Sequence, residues 1–300
     1  MGTKLLYYLF LLPLSKLPFG ILYLLSDLTY LVLYKLIGYR TKVVRGNLKR
    51  SFPEKSEKEI LRIESEFYKH LCDVIVEGIK GFSISKNQAQ KRMKQRNPEL
   101  INQFYKEGKQ VILAGGHYGN WEMFAVAIGM ALDYKTVALY TPLKNKFMDS
   151  KVRESRSKYG LGMMPINEIK KKLNDQKDNL YVTIFGADQS PRKSQKAYWM
   201  NFLNQETGVQ FGTEKFAKEY KAAVVFGNIH RLKRGHYEVA YQLICEDATQ
   251  TPYGYISQAH TKLLEREIIK KPEHWLWSHK RWKHQRPEEL PLNQELDLLL

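Results

Sequence analysis

Cysteine is scarce. The 300 residues hold two, Cys72 and Cys245. Neither sits in a C-x-x-C pair or a Cys/His cluster, so the sequence offers no disulfide framework and no zinc site. A reducing compartment fits that usage, and no metal or other cofactor is expected. Nucleic-acid modules are missing as well. There is no zinc-finger spacing, no basic zipper and no RNA-binding aromatic signature, so no nucleic-acid partner is expected. Internal repeats, low-complexity segments and a convincing linker between residues 40 and 300 are also lacking. Acidic residues fall short, 31 against 48 Lys and Arg, which leaves a net charge of +17. Such a surface favours nucleic acid, anionic lipid or an acidic protein partner. The basic residues are spread out and densest at Arg40 to Arg50, Lys170 to Lys172 and Lys280 to Arg286. An ordinary solvated surface carries charge of this kind too.

What is present is a globular composition, 43% hydrophobic and 26% charged, enough to bury a sizeable core. It follows an apolar start. Residues 5–34 carry only Lys16 and Asp27 as charges. The window Leu17 to Tyr34 approaches the ~20 residues of a spanning helix. Its Leu, Ile, Val and Phe contribute about −3 to −6 kcal/mol, while a central Asp27 costs about +3 kcal/mol. Insertion as a lone helix is therefore marginal. A pair of interfacial helices is the alternative. A secretory signal is disfavoured because no small-residue cleavage site follows. Lys35, Arg40, Lys42, Arg45, Lys49 and Arg50 crowd the C-terminal side, which puts the remaining chain on the cytoplasmic face. The expected partition is residues 1–38 as membrane anchor and 39–300 as one domain.

Within that domain, Ser56 and Glu59 form a capping box before apolar residues at helical spacing, which predicts a helix over 57–79. Further helices are expected over 98–106, 121–131, 146–159, 213–220 and 255–270. Strands are expected over 111–114, 136–140, 180–185, 222–226 and 237–245. This alternation predicts an α/β fold, a central mostly parallel or mixed sheet flanked by helices.

One strand-to-helix turn stands out. Gly115-Gly116-His117-Tyr118-Gly119-Asn120-Trp121-Glu122 follows a predicted strand and opens a predicted helix, the usual place for a site in such sheets. Glycines there let a substrate approach the backbone. A histidine takes a proton at neutral pH, and a carboxylate fixes its tautomer. Spacing alone decides little, because His117, His260 and His284 all have a carboxylate five residues on. His260 lies inside a predicted helix, where that step separates the side chains by about 140°. His284 lies in a basic tail. Only His117 sits among glycines at a turn.

The stretch GGHYGNWE resembles the H-x4-D/E motif of the glycerolipid acyltransferase superfamily, in the extended form of the bacterial lipid A biosynthesis acyltransferases. Asn47-Leu48 with Ser51-Phe52-Pro53, the loop Tyr140 to Asn145, Arg156 with Tyr159-Gly160, Asp188-Gln189, PEHWLW at 272–277 and Arg281-Trp282-Lys283 are similar to further family signatures, in order. Lys146 stands where the family usually has Pro, and Asn201 to Asn204 where it has Phe-Phe-Gly.

The resemblance implies an O-acyltransferase at the cytoplasmic face of a bacterial inner membrane. Acyl carrier protein would be its donor, a lipid A precursor its acceptor and anionic membrane lipid its surroundings. His117 would be the general base, held by Glu122, with Asp188 able to share that task. Arg156 would hold a phosphate or brace the site. Gly116, Asn120 and Gln189 would border the substrate, with backbone N–H groups of Gly116 to Asn120 facing the developing oxyanion. Plainer roles stand beside these: an early-helix acid for Glu122, a helix N-cap for Asn120 and a turn residue for Asp188. Trp275, Trp277, Trp282, Lys280 and Arg281 suit either membrane headgroups or core packing, the latter favoured for Trp275 and Trp277. A related transferase acting on a lysophospholipid, aminolipid or other glycolipid remains open. So do a lipid hydrolase and a non-catalytic basic membrane adaptor.

Overall fold

Strands alternating with helices build one mixed sheet. A computed structural model describes residues 2–169, 179–298 and 300; the cluster Lys170 to Lys172 lies outside the described residues. Among the described residues nine strands are seen: β1 (Met93–Gln95), β2 (Val111–Gly115), β3 (Lys135–Tyr140), β4 (Leu161–Pro165), β5 (Tyr181–Gly186), β6 (Ala197–Phe202), β7 (Gln205–Gln210), β8 (Ala223–Lys233) and β9 (His236–Cys245). Seven of them form the main sheet in the order β1-β9-β8-β2-β5-β3-β4. Pairing is parallel except between β8 and β9. The hairpin β6–β7 forms a separate sheet, turning at Leu203 and Asn204, whose φ values of 48° and 59° suit a tight hairpin turn.

The central strands are apolar because both faces are covered. Val111 and Leu113 of β2 enter one core with Val182, Ala223 and Val225; Ile112 enters the other with Phe185, Val224 and Phe226. The first core packs the helices Glu99–Lys106 and Trp121–Ala127, and the second the helices Gly212–Glu219 and Tyr255–Lys270. The capping box at Ser56 and Glu59 starts a helix over Glu57–Gly81.

The N-terminal segment leans on that long helix. Phe19–Leu36 is helical throughout and, by length and composition only, apolar enough to cross a membrane. One face is polar and docked: Ser26 Oγ donates to Asp73 Oδ1 at 2.7 Å and Tyr23 OH to Glu77 Oε1 at 2.8 Å. Asp27 is paired with Arg234 at 2.6 Å, so it is not a bare charge on a lone helix. Leu24, Leu28, Leu31 and Leu36 are exposed.

Candidate active site

The register of β2 and β5 builds the site. Gly115 and Gly186 pair at the carboxyl ends of these neighbours. His117 and Asp188 each stand two residues beyond that pair. Ala187 N–H donates to Gly115 O at 2.9 Å, which keeps the two chains side by side past the sheet. Their side chains meet: His117 Nδ1 lies 2.8 Å from Asp188 Oδ1, and the His117 backbone N–H donates to Asp188 Oδ2 at 3.0 Å. Trp275 Nε1–H donates to the same Oδ2 at 2.9 Å. The Asp188 side chain is only 3% exposed, so these donors replace the water an ionised carboxylate needs. A carboxylate only accepts, so the imidazole proton sits on Nδ1 and makes Nε2 the accepting nitrogen. Gln189 Nε2 lies 3.4 Å from that nitrogen.

Burial weighs against the imidazolium. The charge and hydrogen bond of Asp188, with the charge of Glu122 behind them, outweigh it and hold His117 above its ordinary value of 6.5. Burial also opposes the Asp188 charge, yet His117 and Trp275 keep that carboxyl well below the usual range.

Glu122 has a different partner from the one expected. It bonds Arg156 through both oxygens, at 3.0 Å to Nε and 2.6 Å to Nη2. The expected bond from Glu122 to His117 is not made; Asp188 makes it. As the second residue of the helix Trp121–Ala127, Glu122 faces the helix Lys146–Ser157 that carries Arg156.

Asn120 is fully buried. Its Oδ1 caps the helix by accepting Met123 N–H at 2.8 Å, and its amide donates to Glu77. A substrate contact by Asn120 is therefore replaced by a structural one. The expected row of free backbone donors is also reduced, because Gly119 N–H goes to His274 O at 3.0 Å and His117 N–H to Asp188. His70 Nε2 holds Gly119 O from the other side at 2.9 Å.

A cavity of about 590 Å³ opens beside His117, within the usual size of ligand pockets. Gly116, Arg156 and Gln189 line it, together with His117. Its walls are apolar, from Leu113, Phe124, Ala138, Leu161, Met163 and Ile184. Arg153 joins Arg156 at its polar side; the i, i+3 spacing of the two arginines was the available signal. Asn145 caps the helix bearing them at 3.1 Å. The turn Asn201 to Asn204 borders a different cavity, with Ser51 and Lys55. Trp275, Trp277 and Arg281 are 2%, 0% and 3% exposed. Core packing is thus their place, and contact with headgroups is excluded for all three.

Known proteins are similar to this chain along most of its length. The family model for "Bacterial lipid A biosynthesis acyltransferase" matches residues 1–284. The chain is 24% identical over 298 residues to the lipid A biosynthesis lauroyltransferase of Escherichia coli K12, covering 93% of this chain and 94% of that protein. It is 20% identical over 271 residues to the lipid A biosynthesis palmitoleoyltransferase of the same strain, covering 89% and 87%. A lipid A biosynthesis acyltransferase of Shigella flexneri gives the same figures, 20% over 271 residues.

Proposed function

Because this chain belongs to the bacterial lipid A biosynthesis acyltransferases, and is thereby an enzyme of acyl transfer, we propose that it moves a fatty-acyl group from an acyl carrier protein thioester to a hydroxyl of a lipid A precursor. One observation carries the reading: His117 has its Nδ1 bound to a buried carboxylate while the residue borders a large apolar cavity. The apolar walls suit an acyl chain, and Arg153 and Arg156 suit an anionic group of donor or acceptor.

In this mechanism His117 Nε2 removes the proton from the acceptor hydroxyl. The oxygen attacks the thioester carbon, and the carbonyl oxygen takes the negative charge. The Gln189 amide, beside Nε2 on the cavity wall, donates to that oxygen. The C–S bond then breaks, and the leaving thiolate takes the proton back from His117. Asp188 holds the tautomer and stabilises the imidazolium. Glu122 acts through Arg156, keeping the guanidinium at the cavity wall. No acyl-enzyme is needed, and burial pushes both Cys72 and Cys245 up to about 12, far from a thiolate nucleophile.

The working place would be the cytoplasmic face of a bacterial inner membrane, with residues 1–38 as anchor. The exposed leucines of the N-terminal helix support contact with lipid, and the net charge of +17 supports an acidic carrier and anionic lipid. To test the activity, acyl carrier protein charged with labelled fatty acid is incubated with a lipid A precursor and either wild type or His117→Ala. Transfer by the wild type alone is expected. Equal transfer by both would refute the mechanism, and labelled free fatty acid as the sole product would indicate a hydrolase instead.

A further inference from the structure

A further, small cavity of about 10 Å³ lies against Asp188. His260, Thr261 and Arg281 bound it, with Phe202 and Leu264. His260 and Arg281 are 4% and 3% exposed. Among the described residues, His260 Nε2 and Arg281 Nε meet no hydrogen-bond partner. Buried polar groups are costly without partners, and a buried guanidinium needs an opposing charge. Burial lowers the affinity of both groups for protons, and Asp188 is the opposing charge in each case. His260 is pushed down to about 4 and is therefore neutral. The cavity has room for about one water, which needs two to four polar partners. Asp188, His260 and Arg281 supply them. His279 also feels the Asp188 charge, but its Nε2 already accepts Ser190 N–H at 3.0 Å.

We propose that Arg281 is a positioning residue for acyl transfer, the fixed counter-charge of Asp188, linked to it and to His260 through one water in this cavity. The inference rests on the reading of His117 and Asp188 as the basic pair. It gives Arg281 a defined effect. Asp188 raises the proton affinity of His117; the guanidinium on the other flank of the pair restrains that rise. Without it, His117 would stay protonated further into the neutral range and have less free base.

The test follows the imidazole of His117 by NMR in the full-length, histidine-labelled protein in detergent micelles, with the signal assigned by its loss in His117→Asn. In Arg281→Met the titration midpoint of His117 should rise by on the order of one pH unit, and in Arg281→Lys it should stay near that of the wild type. A midpoint that stays put or falls in a folded Arg281→Met overturns the proposal. Should Arg281→Met not fold, the double variant Asp188→Asn with Arg281→Met decides, because it removes both buried charges. Recovery of folded protein supports the pairing. Failure of the double while Asp188→Asn alone folds overturns it. This titration needs no turnover. Absence of His117-dependent transfer would thus sink the proposed function separately from the counter-charge.

Discussion

Replacing Asp188 by Asn keeps the shape of the side chain and removes its charge. The carboxylate accepts from the His117 N–H at 3.0 Å, His117 Nδ1 at 2.8 Å and Trp275 Nε1 at 2.9 Å. An amide has one accepting oxygen and a donating NH₂. The backbone and Trp275 both reach Oδ2, so the amide oxygen stays there and the NH₂ faces Nδ1. That nitrogen must then accept, and the ring proton moves to Nε2, where the base should be free. The charge is lost as well. A charge pair at 2.8 Å in an effective dielectric of about 20 is worth roughly 6 kcal/mol. Desolvation already cancels part of this, leaving about 4 kcal/mol, or roughly a thousandfold in rate. Asp188→Asn should therefore lower kcat about a thousandfold. KM for the acyl donor should change little, because Asp188 is not among the residues lining the large cavity. The pH profile should move as well. The base works when neutral, so wild-type activity falls as pH drops through a value above 6.5. Without Asp188 that fall should come at lower pH. Steady-state transfer from labelled acyl carrier protein, measured on both sides of neutrality, checks both effects. A rate within tenfold of wild type, with an unmoved acid limb, would refute the role of Asp188.

Glu122→Gln should lower kcat/KM by about one to two powers of ten, the loss of a hydrogen bond to a charged group. Adding Arg156→Met should cost little more, because each acts through the other; additive losses would disprove the coupling. Gly116→Ala places a Cβ 2.8 Å from Leu264 Cδ2 and 3.3 Å from Asp188 Cβ. Overpacking of about 1–3 kcal/mol is expected, seen as a lower Tm with reduced transfer; a variant unchanged in both would show that the turn has slack. Glu77, beneath the same turn, has its carboxyl pushed up to about 7 by burial, against its ordinary 4.5. The folded state then binds the extra proton, so its contribution is fully present below 4.5 and is lost as pH rises through about 7. Glu77→Gln should flatten that part of the Tm-against-pH curve, and identical curves would count against the assignment.

Much of the frame is readable from pattern. Val111 to Ala114 is apolar because β2 is covered on both faces, and the glycines after it mark where the chain turns. Gly116, Arg156 and Gln189, singled out by the resemblance, stand on the wall of one cavity. Short edges are different. β1 has three residues and β4 begins after Gly160 and ends at Pro165, too little for any period to register. β8 runs on past Phe226 into Gly227, Asn228 and His230, where one face is partly exposed and the apolar run breaks off. The polar groups buried beneath the site give no local signal at all. Arg281 reads equally as a headgroup contact or as core packing, and its burial beside Asp188 becomes visible only when the tail is seen to fold back.

The spacing of the motif shows why. In H-x4-E the two residues are close in sequence, which invites a direct bond between them. The chain between them, however, crosses a turn and enters a helix, and the helix sets the direction of Glu122. It points across to Lys146–Ser157, where Arg156 waits 2.6 Å away. The partner of His117 comes instead from 71 residues along the chain. What brings it there is sheet register: two parallel strands end on paired glycines, and strands about 4.8 Å apart place the residues two positions beyond within bonding reach. Register belongs to the pairing of strands and to neither strand alone, so no reading of one segment contains it. The motif thus marks two separate devices in eight residues. One is a histidine, the proposed base, held by its neighbour strand, and the other is a carboxylate bonded to an arginine at the cavity wall. If that division holds, His117 and Asp188 should fail together in pH dependence, while Glu122 and Arg156 should fail together with the acid limb displaced far less.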